Sequence, residues 1–131
     1  AMSYQKLVRD RIPEIIEASG RKPVWRELDQ TEYQAELYRK LNEEWQEYQD
    51  AESVDAKVEE LADVSEVLRS IDLPDGARTR NITKLEHALA FLGVDKGVML
   101  EIQQQKAIDR GRFSRRIYLE GVEDPSARDS S

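Results

Sequence analysis

The chain contains no cysteine, which removes disulfides, thiolate zinc sites and cysteine nucleophiles from consideration. Histidine occurs once, at His87, so multi-histidine metal sites and paired acid–base histidines are excluded as well. Glycine is sparse, and Gly93 and Gly97 lack the rest of a phosphate-cradling fingerprint. There is no run of 18 or more apolar residues and no apolar signal core near the amino terminus, which predicts a cytoplasmic protein with no membrane partner. Trp25, Trp45 and the tyrosines are expected mostly in the core, although one aromatic could stack on a nucleobase.

What is abundant is charge. Hydrophobic residues make up 39% of the 131 residues and charged ones 36%, a balance that favours a helical, well-solvated single domain over a β-sandwich. The net charge of −7 argues against a polynucleotide partner, which would need a positive face. The charge is also unevenly distributed. Residues 28–70 hold four basic and thirteen acidic groups, whereas residues 1–27 hold six and four, and residues 71–131 hold ten of each.

Lys6 to Ala18 reads as an amphipathic helix or a turn followed by a helix, on Leu7, Val8, Ile12, Ile15 and Ile16. Pro13 suits a first turn, where its missing N–H is no loss, so regular helix is expected from near Arg11 or Ile12, ending at Gly20. Pro23–Leu28 and Arg116–Leu119 could pair as a minor two-stranded β element. Asp29 or Thr31 offers a cap for a helix whose stripe Tyr33, Leu37, Leu41, Trp45 and Tyr48 advances in steps of four and three. A turn over 50–53 leads to a second helix from about Val54 to Ser70. There Val54, Val58, Leu61, Val64, Leu68 and Ile71 define one side, and Glu60, Asp63 and Val67 share another, which predicts burial on several sides. Leu73-Pro74-Asp75-Gly76 predicts a break, with an exposed loop through Arg80. Two further helices are expected over Ile82–Leu92, with His87 on its surface, and over Val94–Arg110, ending at Gly111. Residues 121–131 are polar and aperiodic and read as a flexible tail.

The acidic segment has internal order. Glu44 and Glu47 lie three apart, and Glu60 and Asp63 repeat that spacing. Residues three apart share a helix face, and a short turn makes the two helices antiparallel neighbours. Such a pair would gather four carboxylates around one point, a donor set suited to a hard divalent cation such as Mg²⁺, with Mn²⁺ as a substitute. Most helical acid-x-x-acid pairs are simply solvated, and 27 acidic residues make the spacing common. Electrostatics separates the two readings: unit charges about 4 Å apart at an effective dielectric near 20 interact by roughly 4 kcal/mol, against a total stability of about 5–15 kcal/mol. Clustered carboxylates therefore need a cation or protons. Lys106 and Arg110, four apart on one helix face, could grip phosphate oxygens.

Three segments in order resemble a known group. These are Lys6-Leu7-Val8-Arg9-Asp10-Arg11-Ile12-Pro13-Glu14-Ile15-Ile16, then Lys40-Leu41-Asn42-Glu43-Glu44-Trp45-Gln46-Glu47 with Glu59-Glu60-Leu61-Ala62-Asp63, and Lys106-Ala107-Ile108-Asp109-Arg110-Gly111-Arg112-Phe113 followed by Ile117-Tyr118-Leu119. Together they are similar to the MazG-like, phosphoribosyl-ATP pyrophosphohydrolase-like group of the all-α nucleoside triphosphate pyrophosphatases. The resemblance implies an all-α helical bundle with an antiparallel acidic helix pair over residues 2–120. It also implies Mg²⁺ dependence and hydrolysis of a nucleoside triphosphate to monophosphate and pyrophosphate, as house-cleaning of non-canonical nucleotides. Glu44, Glu47, Glu60 and Asp63 become metal ligands or water-orienting bases. Lys6, Arg9, Lys40, Lys106 and Arg110 become substrate contacts, and Asp10 orients Arg9 or touches substrate. A homo-oligomer, dimer or tetramer, is expected, since apolar residues on several helix faces leave surface to cover. The alternative is a non-catalytic helical dimer binding nucleotide or protein on the same scaffold. The segment 72–80 departs from the group's pattern as an apparent insertion.

Overall fold

The computed structural model describes residues 2–125. Its elements are β1 (Met2–Val8), α1 (Ile12–Ala18), β2 (Lys22–Glu27), α2 (Gln30–Asp50), α3 (Val54–Ser70), α4 (Asp75–Leu92), α5 (Lys96–Arg110) and β3 (Ile117–Glu123). The protein is thus mainly helical, but it carries a three-stranded antiparallel sheet in place of the minor two-stranded element expected. Two compact units make up the fold. One contains the residues up to Glu36 together with those from Ile108 onward, and the other contains Leu37–Ala107. No helix among the described residues is long and apolar enough to cross a membrane.

In the first unit, β3 is the central strand, flanked by β1 and β2. Leu7 and Val8 stand opposite Tyr118 and Ile117, while Trp25 and Glu27 stand opposite Leu119 and Ile117. Val8, Ile117, Leu119 and Val122 form the core of this unit, with Tyr4, Ile12 and Ile16 packed against it. The strand at 2–8 corrects the helical reading of Lys6–Val8. Its register slips between Ser3 and Lys6, where Gln5 takes a positive φ of 53°, and β2 slips between Val24 and Trp25. Such bulges disrupt strict alternation, so buried positions on β3 run 117, 119 and then 122. Broken alternation is also why residues 121–123 read as the start of a tail when they are strand. The rest of that tail from residue 126 lies outside the described residues.

The turn after β1 packs on the turn after α5. Asp10 N–H donates to the Arg112 carbonyl at 2.7 Å and Arg11 N–H to the Arg110 carbonyl at 2.9 Å. Gly111 lies between them at φ +83°, where a Cβ would meet Arg11 N and Asp10 Cβ, each at 2.9 Å. Its own carbonyl accepts from the buried Arg9 guanidinium at 3.0 Å.

In the second unit, most of the expected stripes on α2 and α3 is buried: Leu37, Leu41 and Trp45 on one helix, and Val58, Leu61, Val64, Leu68 and Ile71 on the other, with Val67 buried on a second side; Tyr48 is half-buried, and Val54, in the first turn of α3, is exposed. Ser53 caps α3, accepting from Ala56 N–H at 3.1 Å. In the first unit, Asp29 and Glu32 make the matching box at the start of α2. The exposed loop expected through Arg80 is instead the opening of α4. Pro74 at the N-cap, with φ −56°, and Asp75 in the first turn are helix-start signals as much as turn signals. Arg78 reaches back from that turn to the carbonyls of Leu68, at 2.8 Å, and Ile71, which α3 leaves unpaired at its end. Val94 and Asp95 precede α5, which begins two residues later than expected.

Replacing Gly111 by alanine combines positive-φ strain with steric contact and should cost about 1–3 kcal/mol in urea unfolding. Gly20→Ala, at φ +86° with nothing within 4 Å of the new Cβ, should cost only the conformational part, about 1–2 kcal/mol. Equal losses at the two sites would contradict the tight approach at Gly111.

Candidate metal centre

The acidic helices are antiparallel. Lys57 Nζ donates to the carbonyl of Tyr48 at 2.9 Å, while Glu60, farther along α3, lies beside Glu47 and Glu44, farther back along α2. One oxygen from each of Glu44, Glu47 and Glu60 lies within 4.8 Å of the others. The trio grades from interior to solvent: Glu44 is 8% exposed, Glu60 is half-buried and Glu47 is exposed. The Oε2 atoms of Glu44 and Glu60 are buried and have no hydrogen-bond partner among the described residues.

Burial is the main reason that the Glu44 carboxyl is pushed up to about 9, aided by its hydrogen bond with Glu60 and by the charges of Asp63 and Glu47; Lys40, four residues back on α2, works the other way. Glu60 is raised too, chiefly by burial, with Glu47 and Asp63 adding to the effect while the hydrogen bond from Glu44 opposes it. Without a cation the site therefore holds a proton on Glu44.

Asp63, the fourth expected ligand, is close enough to act on both glutamates but is not in the converging trio. Lys106 Nζ lies 3.0 Å from each of its carboxylate oxygens. Lys106 thus meets a carboxylate where a phosphate contact was expected. One helical turn away, the fully buried Glu66 accepts from Gln103 Nε2 at 3.4 Å. Sequence reasoning missed this pair, although Glu66 between Val64 and Val67-Leu68, on a helix read as buried on several sides, was a signal for it.

The remaining expected contacts fall in the sheet-bearing unit. Lys6 is exposed on β1 and lies over the Tyr4 ring. Arg9 is buried, held by the Gly111 carbonyl and the face of Phe113. Asp10 accepts from Ser114 Oγ at 2.6 Å and from Arg115 N–H at 2.8 Å, one on each carboxylate oxygen. Arg110 ends α5, with its side chain exposed. The structure therefore brings together the three glutamates, with Asp63, Lys106 and Lys40 beside them, all within the helical unit.

The donor set fits a hard divalent cation. It is all carboxylate oxygen, it carries two buried oxygens lacking partners, and no soft or imidazole donor competes. Oxygens sharing an octahedral Mg²⁺ lie about 3–4 Å apart, given bonds of about 2.0–2.1 Å. The observed spread needs only a modest contraction.

No family model and no solved structure matches the chain. Over 54 residues, 41% of its length, it is 56% identical to an uncharacterized protein of Mycolicibacterium smegmatis. The match covers 55% of that protein, so the chain spans about half the length of this relative. The relative's name says nothing of chemistry, and the case for the site rests on its geometry.

Between the ordinary carboxylate value of 4.5 and about 9, folded Glu44 keeps a proton that the unfolded chain releases. More protons bound in the folded state means that stability falls as pH rises across that window, by about 1.4 kcal/mol per unit for one proton. Urea unfolding of the metal-free protein from pH 5 to 9 should show this slope. Glu44→Gln should flatten it, and saturating Mg²⁺ should oppose it in the wild type. A wild-type profile no steeper than that of Glu44→Gln would refute the buried proton.

Proposed function

We propose that this protein is a Mg²⁺-dependent nucleoside triphosphate pyrophosphohydrolase that clears non-canonical nucleotides. The observation that carries the reading is the convergence of Glu44, Glu47 and Glu60 within 4.8 Å, with a buried oxygen on each of Glu44 and Glu60 that has no hydrogen-bond partner among the described residues. The order of the three segments resembling the MazG-like group supports the choice of phosphate substrate.

In this reading Glu44 and Glu60 supply the inner oxygens that hold the cation, and Asp63 completes the set. When bound, such an ion supplies Lewis-acid polarisation of phosphate oxygens and a more acidic water. Attack of water on the α-phosphorus forms one P–O bond and breaks the bond to the oxygen bridging the α- and β-phosphates. The products are monophosphate, pyrophosphate and a proton. Glu47, the exposed member, is the carboxylate accessible to accept that proton. A triphosphate brings about four negative charges, more than one divalent ion can offset beside these acids, so lysine and arginine donors are required. Lys40 and Lys106 are the basic side chains next to the cluster. Assembly into a dimer or tetramer belongs to the same proposal, since Val54, Phe91, Val98 and Leu100 expose apolar surface on the helical unit.

Glu60→Gln and Asp63→Asn should each lower pyrophosphate release by at least about a hundredfold, with far-UV circular dichroism unchanged. The assay is a panel of canonical, deoxy and damaged triphosphates with Mg²⁺, read as pyrophosphate formed. Full activity in both variants, or no turnover of any triphosphate by the wild type, would end the proposal.

A further inference from the structure

Three of the four acids converge, and the fourth is engaged by an internal cation. Lys106 Nζ sits symmetrically on Asp63, 3.0 Å from both oxygens, so neither faces the cluster unopposed. We propose that Lys106 is an exchangeable counterion: it neutralises Asp63 while the cluster lacks a cation, and it gives Asp63 up as an oxygen donor when a divalent cation binds. The inference rests on the cation site proposed above and adds to it the order in which that site is completed.

Three features favour exchange over a permanent pair. First, the ion pair is only partly enclosed, with side-chain exposures of 15% and 19%, so the freed ammonium can be rehydrated. Second, the backbone beneath Lys106 is anchored. Met99 is fully buried on α5, and Gln103 binds Glu66 one turn from the Lys106–Asp63 contact. Release therefore needs only rotation of a flexible four-carbon side chain, with no shift of α5 against α3. Third, a divalent ion ligated by Glu44 and Glu60 would repel an ammonium on the neighbouring Asp63, and the two cations compete for the same carboxylate. Once displaced, Lys106 remains beside the site with its charge open to an anion, which couples cation entry to phosphate capture.

The test is Mn²⁺ binding, read as free Mn²⁺ by electron paramagnetic resonance, in four proteins at fixed ionic strength: wild type, Lys106→Met, Asp63→Asn and the double variant. Lys106→Met should tighten Mn²⁺ binding by about three- to tenfold. In the Asp63→Asn background the same change should have no effect, because the carboxylate in dispute is gone. Equal tightening in both backgrounds would show a general field effect and overturn the exchange, as would no tightening in either. Circular dichroism checks folding, and Lys106→Gln makes the same comparison if the methionine variant does not fold. A wild type that binds no Mn²⁺ would remove the cation site itself and the exchange with it. Binding without the Asp63 dependence would remove only the exchange.

Discussion

The repulsion among Glu44, Glu47 and Glu60 is the constraint on which the rest of the helical unit turns. Three carboxylates with oxygens inside 4.8 Å cannot all be charged without compensation. The apolar faces of α2 and α3 nonetheless hold them there, through Leu37, Leu41, Trp45, Val58, Leu61 and Val64, all buried. Neighbouring groups reinforce the placement. Trp45 donates its indole N–H to Asn81 at 3.0 Å, and Asn81 in turn binds the Ala77 carbonyl on α4. Arg78 closes the far end of α3. A proton on Glu44 relieves the repulsion, and the divalent cation proposed for the cluster would relieve it in the proton's place.

Local periodicity made α2 and α3 readable. Their stripes advance in steps of three and four within a single segment, and their caps, Asp29 and Ser53, lie where the stripes begin. The placement of the acid pairs followed from the same pattern, and three of the four acids converge as expected. Elements that depend on distant partners were not readable in this way. β1 pairs with a strand more than a hundred residues away, and its bulge at Gln5 hides the alternation that would mark it. The start of α4 was obscured for a different reason. Pro74-Asp75-Gly76 satisfies turn chemistry and helix-start chemistry alike, and only Arg78 reaching back to α3 distinguishes them. Spacing likewise placed Lys106 and Asp63 on helix faces but could not say that they face each other.

The segments that open and close the resemblance have a structural explanation of their own. Arg9-Asp10-Arg11 and Arg110-Gly111-Arg112 join through two backbone hydrogen bonds, with Gly111 so close that no side chain fits. Arg9 lies buried between the Gly111 carbonyl and Phe113, and Asp10 fastens the following turn through Ser114 and Arg115. A basic and acidic signature at each end of the chain can thus be demanded by packing alone, because a buried guanidinium and a turn-capping carboxylate need those residue types. The acidic helix pair has no equivalent explanation. Packing gains nothing from burying an oxygen on each of Glu44 and Glu60 that no donor among the described residues meets, and the burial costs stability. Of the three segments it is therefore the middle one, set against the fold's own energetic interest, that points to chemistry.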